Sequence, residues 1–397
     1  MKDSILVFGV GELQKSIIER CKKKKLFVVG IDPMAEAMCR NLVDAFEVVG
    51  GQDFEKTVEV AERYNVKGIV TAATDKPLVM MARVAEKLQL PFFSVETAEW
   101  STDKLMMKQK FQESGIPCAN GFILNSVDEL TELKVDYPVV VKPRDNSGSR
   151  GVIYCNNLKE VEIAVKEALQ YTKKGNVLIE EFIEGQEYSI EGIHYNGEHH
   201  VIQYTEKITT PLPYNVELGH IQPADISDRE KIEINSIISR IAASLGFMNC
   251  ASHTELKINQ KGIFVIETSP RLGGDFITSH LVPLSTGVNM EEQLINISLG
   301  DTIDYKLVNQ ASLITYFNFP IGTKIINTIS ADEIGRRYPC VVDYKFNLKT
   351  GDEICLITNS LNRYGYFVIA GSNKQILLNQ QEEINIFLEN HIVDNLN

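Results

Sequence analysis

Four short apolar runs, Ile5–Gly9, Phe27–Ile31, Gly68–Ala72 and Pro91–Ser94, alternate with helical patterns along the first ninety-odd residues. Strands separated by helices imply a parallel sheet flanked by those helices, which is the strongest restriction the sequence places on its own fold. The first run leads into Gly9-Val10-Gly11 and a helix, and Asp32 closes the second, as in folds that bind dinucleotides. Gln14, however, stands where the third glycine of that fingerprint belongs. The segment therefore reads as a Rossmann-like support domain and not as an NAD site.

A chain of 397 residues exceeds what one compact core usually serves. The patterns divide it into three pieces, 1–98, 99–305 and 306–397. Together they give an α/β and α+β fold class whose last piece is small and β-rich, ending in a helix near 380–392. The first boundary is expected near Ser94–Trp100, after which Ser101-Thr102-Asp103 can cap a helix carrying Lys104 and Met107. Apolar residues make up 44% and no run is long enough to span a bilayer, so no membrane partner is expected. Met1-Lys2-Asp3 runs straight into a strand without a signal-peptide pattern, and the seven cysteines form no CxxC pair. Both features point to the cytoplasm. A net charge of −13 argues against nucleic acid as a partner. The basic run Lys22 to Lys25 reads as a solvated helix end.

The densest chemistry lies in Ala251–Ile258 and Ile263–Ser269. Gln260-Lys261-Gly262 can form a three-residue hairpin loop, which would set Leu256 opposite Ile266 and Ile258 opposite Phe264. In that register Glu255 faces Glu267, and His253 faces Ser269. Directly opposed residues have Cβ atoms ~5 Å apart, so two carboxylates there need a positive charge between them or a shared proton. Magnesium is the natural answer, because it takes one or two carboxylates and completes its shell with water and phosphate. The plainer reading is an exposed acidic pair on an edge hairpin. Arg271 and Gly273-Gly274 follow, an arginine suited to a transferring phosphoryl group and backbone able to approach a ligand closely.

A second cluster is Tyr137–Arg144, where an apolar strand delivers Lys142 to its end, followed by a small-residue loop through Ser147, Gly148, Ser149 and Gly151. Such a loop can donate backbone N–H groups to phosphates while lysine supplies charge. The GxxxxGK[ST] spacing of a Walker loop is absent. A third cluster is the strand Val177–Glu181 and the linker after it, against which an adenine ring could lie with Glu187 at the ribose. On the residues alone, a charged connection between strands is the favoured reading of that segment.

Taken in order, Lys104, Val140-Val141-Lys142-Pro143 with its loop, Ile179-Glu180-Glu181-Phe182-Ile183-Glu184-Gly185 and Glu255…Glu267-x-x-x-Arg271 resemble the ATP-grasp superfamily. The wider chain is similar to the group of biotin carboxylase, carbamoyl phosphate synthetase and amino-acid ligases. The resemblance implies a pre-ATP-grasp domain at 1–98, an ATP-grasp domain of two α+β subdomains at 99–305 and a small C-terminal domain. It implies that Lys104 and Lys142 contact ATP phosphates under a mobile loop at about 144–151. Glu180, Glu181, Phe182 and Ile183 would line the adenine slot, and Glu187 would hold the ribose. Glu255 and Glu267 would hold Mg2+ or Mn2+, with Ser269 where the family usually places asparagine. Arg271 and Lys207 would be the catalytic residues, Arg271 acting on the acyl phosphate, while His220, Gly273, Gly274 and Arg271 itself would face the substrate.

The resulting expectation is an ADP-forming carboxylate–amine ligase with small-molecule substrates, an amino acid among the candidates, and a homodimer as the family suggests. A formate- or bicarbonate-activating enzyme is the alternative within the family, and no biotinyl Ala-Met-Lys-Met segment is present. A non-catalytic nucleotide-binding protein and a nicotinamide-dependent oxidoreductase are the competing classes.

Overall fold

The computed structural model describes residues 2–132, 135–146 and 148–394. Its first sheet is parallel, with β1 (Ser4–Phe8), β2 (Phe27–Asp32), β3 (Ala45–Val48) and β4 (Val66–Val70) in the order β3-β2-β1-β4. Every residue of β1 is buried, as expected for a central strand covered by helices on both faces. Two sequence expectations fail here. Pro91–Ser94 forms no strand, and β3 was not anticipated. β3 is a half-buried edge strand of four residues, Ala45-Phe46-Glu47-Val48, so its apolar run is too short to register. The segment at the expected boundary near Ser94–Trp100 is helical, because Ser94 caps a helix over Val95–Thr102 by accepting from Thr97 N.

The turn after β1 shows what Gln14 does. Its Nε2 donates to Ala72 O at 2.8 Å and its Oε1 accepts from Gly11 N at 3.3 Å, so the buried amide fills the Gly9-Val10-Gly11 turn. Asp32 is engaged as well, accepting from Val10 N and Met34 N, both at 2.9 Å.

A smaller antiparallel sheet contains β5 (Gly121–Leu124), β6 (Val139–Pro143), β7 (Ile153–Cys155) and β8 (Val177–Glu181), ordered β5-β8-β6-β7. The helix Leu158–Ala168, capped by Asn157, lays Val161, Ala164, Val165 and Ala168 on Val139, Val141 and Ile179. Residues at spacings of three and four share one helix face, which is why those positions are apolar.

The third sheet has eight strands, β9 (Gln186–Tyr195), β10 (Glu198–Thr209), β11 (Glu217–Gln222), β12 (Cys250–Asn259), β13 (Gly262–Ser269), β14 (Ala311–Tyr316), β15 (Val341–Phe346) and β16 (Gly365–Gly371). The order is β13-β12-β9-β10-β11-β14-β16-β15, antiparallel throughout. Helix Asp228–Leu245 starts at a Ser227/Glu230 capping box, stops at left-handed Gly246, and buries Ile234, Ile237, Ile238 and Ile241. The C-terminal strands continue this sheet through β11 and β14, with Gly219 opposite Thr315. They also have their own apolar cluster around Phe367, covered by the helix Lys374–Ile392. Among the described residues no helix is long and apolar enough to cross a membrane.

The β12–β13 hairpin departs from expectation near its tip. Its loop has two residues, with Asn259 pairing Gly262, so Leu256 faces Val265 and Ile258 faces Ile263. An irregularity between Glu255 and Leu256 absorbs the extra residue and restores Glu255 opposite Glu267 and His253 opposite Ser269. A bulge cannot be counted from apolar alternation, which is why the expected register fails near the tip and holds beyond the bulge.

With the Gly9–Gly11 turn filled and Asp32 engaged, titration with NADH should give no saturable fluorescence change. Saturable enhancement would show that the turn opens to a dinucleotide.

Candidate functional site

A cavity of about 600 Å³ is lined from the small sheet, the large sheet and the N-terminal parallel sheet. It brings together Lys104, Lys142, Gly148, Ser149, Glu180, Glu181, Phe182, Ile183, Glu187, Lys207, His220, Glu255, Glu267, Arg271 and Gly274. Of the other expected site residues, Ser147 lies outside the described residues. Gly151, Ser269 and Gly273 are not in the lining. A Cβ on Gly151 would meet Tyr171 at 2.7 Å, so its lack of a side chain serves packing behind the loop. A Cβ on Gly273 would stand 2.7 Å from Glu191 Oε2 and 2.8 Å from His253 Nδ1. That glycine admits the backbone to a buried His–Glu pair.

On the small-sheet wall, Lys142 Nζ lies 2.6 Å from Glu180 Oε2 and Lys108 Nζ lies 3.2 Å from Glu180 Oε1. All three side chains are buried. Burial alone would raise the Glu180 carboxyl, yet Lys142 and Lys108 outweigh it and hold the group below the usual carboxylate range. Lys142 is pushed below the ordinary lysine value by burial, with Lys108 and Lys104 adding to the effect against the pull of Glu180. One carboxylate between two ammonium groups leaves a positive excess, which an anion entering the cavity would neutralise. Glu181 turns away to accept from Asn120 N at 2.8 Å. Phe182 N donates to Pro138 O, and no hydrogen bond engages the Ile183 N–H among the described residues. Phe182 is flanked by the Tyr154 ring at 4.8 Å and by Lys257 Nζ at 4.8 Å from its centroid.

Lys104 opens the helix Lys104–Glu113 behind the cap Asp103, whose carboxylate also takes Arg144 Nε at 2.7 Å and Arg144 Nη2 at 2.6 Å. That fork ties the start of the β6–β7 loop to the helix. Lys104 Nζ then reaches Glu267 Oε2 at 2.5 Å. On the large sheet, Lys207 Nζ stands 2.7 Å from both Glu187 Oε1 and Glu255 Oε1 and 3.4 Å from Glu217 Oε1. Burial works against its charge, but Glu187, Glu255 and Glu217 together raise it well above the ordinary lysine value. Each of the two opposed carboxylates thus has its own lysine. His253 adds a third cation, its Nδ1 2.8 Å from Glu191 Oε1 and its Nε2 3.4 Å from Glu255 Oε1. Glu191 and Glu255 overcome burial and raise the imidazole to about 9.

Two arginine–aspartate pairs close the remaining side. Arg271 forks onto Asp75, Nε to Oδ1 at 2.8 Å and Nη2 to Oδ2 at 3.1 Å, and Ser269 Oγ donates to Asp75 Oδ1 at 2.6 Å. Arg363 forks onto Asp275 at 2.7 Å on each oxygen, with His220 Nε2 at 3.4 Å. Asp75, Asp275, Arg363 and Lys108 were not singled out from the sequence. Asp75 carried one usable signal, its place in the loop just past the carboxyl end of a parallel strand, where α/β sheets present ligand-binding loops. Lys108 lies one helical turn beyond Lys104, a spacing that puts both on one face.

Residues 135–279 match the family model of the ATP-grasp domain. The chain is 26% identical over 268 residues to an alanine–anticapsin ligase of Bacillus amyloliquefaciens, a match covering 61% of this chain and 56% of that ligase. It thus spans little more than half the length of that relative. It is also 26% identical over 265 residues to a carbamoyl-phosphate synthase of Methanobrevibacter smithii, covering 64% and 69%. Among solved structures, an L-amino acid ligase from Bacillus licheniformis superposes with a TM-score of 0.83 over 100% of this chain and 99% of that one, at 19% identity. That likeness is one of fold.

Replacing Glu180 by Gln leaves two buried ammonium groups without a counter-charge, a class of change that costs roughly 3–5 kcal/mol. Urea unfolding without nucleotide should register that loss. The Glu180 carboxyl is depressed in the folded chain, so its stabilisation is whole above the unfolded carboxylate range and fades as pH falls. The Gln variant should lose part of the acid-side slope, and an unchanged urea midpoint would contradict the burial of this trio.

Proposed function

We propose that the chain is an ADP-forming carboxylate–amine ligase that activates a small carboxylate as its acyl phosphate. The observation that carries this reading is the meeting, in one cavity, of Glu255 and Glu267 opposed on a hairpin with Lys104, Lys142 and Arg271. The name of one relative, a ligase of alanine and anticapsin, supports the choice of a ligase reaction with an amino acid as one partner.

The two opposed glutamates suit Mg2+, or Mn2+ with similar oxygen preference, since such ions take one or two carboxylates and fill their shell with phosphate and water. Ser269 faces Asp75, so a third protein oxygen is not expected from it. When bound, the ion would shield the triphosphate against the attacking carboxylate.

Adenine would lie along the β8–β9 linker against the Ile183 N–H and the Phe182 ring, with Glu187 at the ribose. Lys142 and Lys104 would exchange glutamate for phosphate oxygens, lowering the charge that the nucleophile meets. Arg271, oriented by Asp75, would stabilise negative charge at the reacting centre. The β6–β7 loop would close over the phosphates and exclude water from the acyl phosphate, which the amine then attacks with release of phosphate. His220 and Lys207 would face the substrate side. The likeness to a carbamoyl-phosphate synthase makes bicarbonate the second acid to consider.

ADP release screened across carboxylate–amine pairs, amino acids first and bicarbonate alone as a separate arm, tests the reading. Release that requires both an acid and an amine supports it, whereas release with bicarbonate alone favours the second. The Glu267→Ala variant should abolish ADP release because it removes a ligand for the ion, and, since it also leaves Lys104 without its carboxylate, release is read on variant protein shown to be folded. Undiminished release would count against the assignment. Lys142→Ala should weaken ATP binding by about 10-fold or more, the effect of losing one charge-assisted contact of 1.5–3 kcal/mol. Unaltered affinity by calorimetry would make the lysine structural.

A further inference from the structure

The segment ahead of β16 leaves the C-terminal piece and forms part of the cavity wall through Ser360, Leu361 and Arg363. Arg363 is more constrained than a side chain waiting for a ligand would be. Its Nη1 and Nη2 take the two oxygens of Asp275, its Nε donates to Ser360 O at 2.9 Å, and Nη1 also donates to Glu217 O at 3.3 Å. Its guanidinium carbon lies 3.7 Å from the Tyr316 ring centroid. Four of its five N–H groups are thereby engaged.

What Arg363 grips is strained. Asp275 and Phe276 both adopt left-handed backbone, with φ of 50° and 61°, in direct succession. That conformation is uncommon for non-glycine residues and an outlier for a bulky one. It persists only where the surroundings enforce it, and such places gather at binding sites. The pair is followed by a single π-helical turn, Ile277–Leu281, a second local departure from regular geometry. The left-handed pair begins four residues beyond Arg271, and Gly274 and Asp275 line the cavity beside that arginine. The same C-terminal segment touches the other side of the site, since Ser360 Oγ donates to Gly148 O at 3.2 Å.

We infer that Arg363 is a positioning residue, supplied by the C-terminal segment, that clamps the strained Asp275–Phe276 turn and so shapes the substrate wall beside Arg271. The inference rests on the ligase reading for its consequence in catalysis, and on geometry alone for its consequence in structure. Asp275 is held well below the usual carboxylate range, burial being overcome by Arg363 and His220, so the clamp stays ionised at neutral pH.

Hydrogen–deuterium exchange on the full chain without ligands reads the structural half. Arg363→Ala should speed exchange across 273–281 and leave β6 and β8 unchanged. Kinetics read the other half. ATP affinity should hold, while kcat/KM for the carboxylate falls by about 100-fold, the scale of a small misplacement. Millimolar guanidinium should restore part of that loss, and Arg363→Lys, with charge but no fork, should restore little. Exchange in 273–281 equal to wild type, or ATP affinity falling in parallel with kcat/KM, would overturn the clamp. Should Arg363→Ala not fold, Asp275→Asn must give the same local exchange, and its failure to do so counts equally against the proposal. A wild-type chain that releases no ADP with any acid sinks the ligase reading, while the exchange result still decides the clamp.

Discussion

Two carboxylates opposed across one hairpin are the constraint around which the rest of the site is built. Unit charges about 4 Å apart in a partly exposed protein setting interact by roughly 4 kcal/mol, so Glu255 and Glu267 cannot face each other uncompensated. The chain answers with a lysine for each. Lys207 arrives from β10, two strands away from β12 in the sheet, and Lys104 from the first turn of a helix that packs on β13 through Met107 Sδ and Thr268 N. Cations held this way are already beside the place where a triphosphate would need them. The bulge that restores Glu255 to Glu267 is therefore functional geometry as well as a local irregularity.

The charges in the cavity are sorted by wall. On the small-sheet side Glu180 is held between Lys142 of β6 and Lys108 of the helix behind it, while Lys207 on the large sheet is surrounded by three carboxylates. An anion is favoured near the first group and a cation near the second, the division that a metal–polyphosphate ligand requires. The remaining wall is composite. Asp75 comes from the loop after β4 and Arg363 from the C-terminal segment, each closing an arginine–aspartate fork with a residue that follows β13. The outer pieces of the chain thus enter the site itself.

Much of this was legible in the sequence where local pattern decides the outcome. Lys142 at the end of an apolar strand and Asp103 capping the helix of Lys104 both depend on neighbours within a few residues. The Glu255–Glu267 opposition was also legible, although its derivation assumed a regular hairpin that the bulge replaces. What escaped were contacts made by topology. Asp75 and Arg271 are 196 positions apart, and Arg363 and Asp275 are 88 apart, distances over which no periodicity in one sequence carries information. The short edge strand β3 escaped for the opposite reason, too few residues to form a pattern. Ser269 was read by its place in a motif, but its hydroxyl is directed by Asp75, a residue outside that motif.

Crystals soaked with Mn2+ and a non-hydrolysable ATP analogue, with data recorded at the manganese edge, address the central pairing most directly. The account predicts an anomalous peak bonded to both hairpin glutamates and to a phosphate oxygen, with Lys104 moved from Glu267 onto the phosphates. Glutamates still held by Lys104 and Lys207, with the nucleotide bound elsewhere or absent, would contradict it.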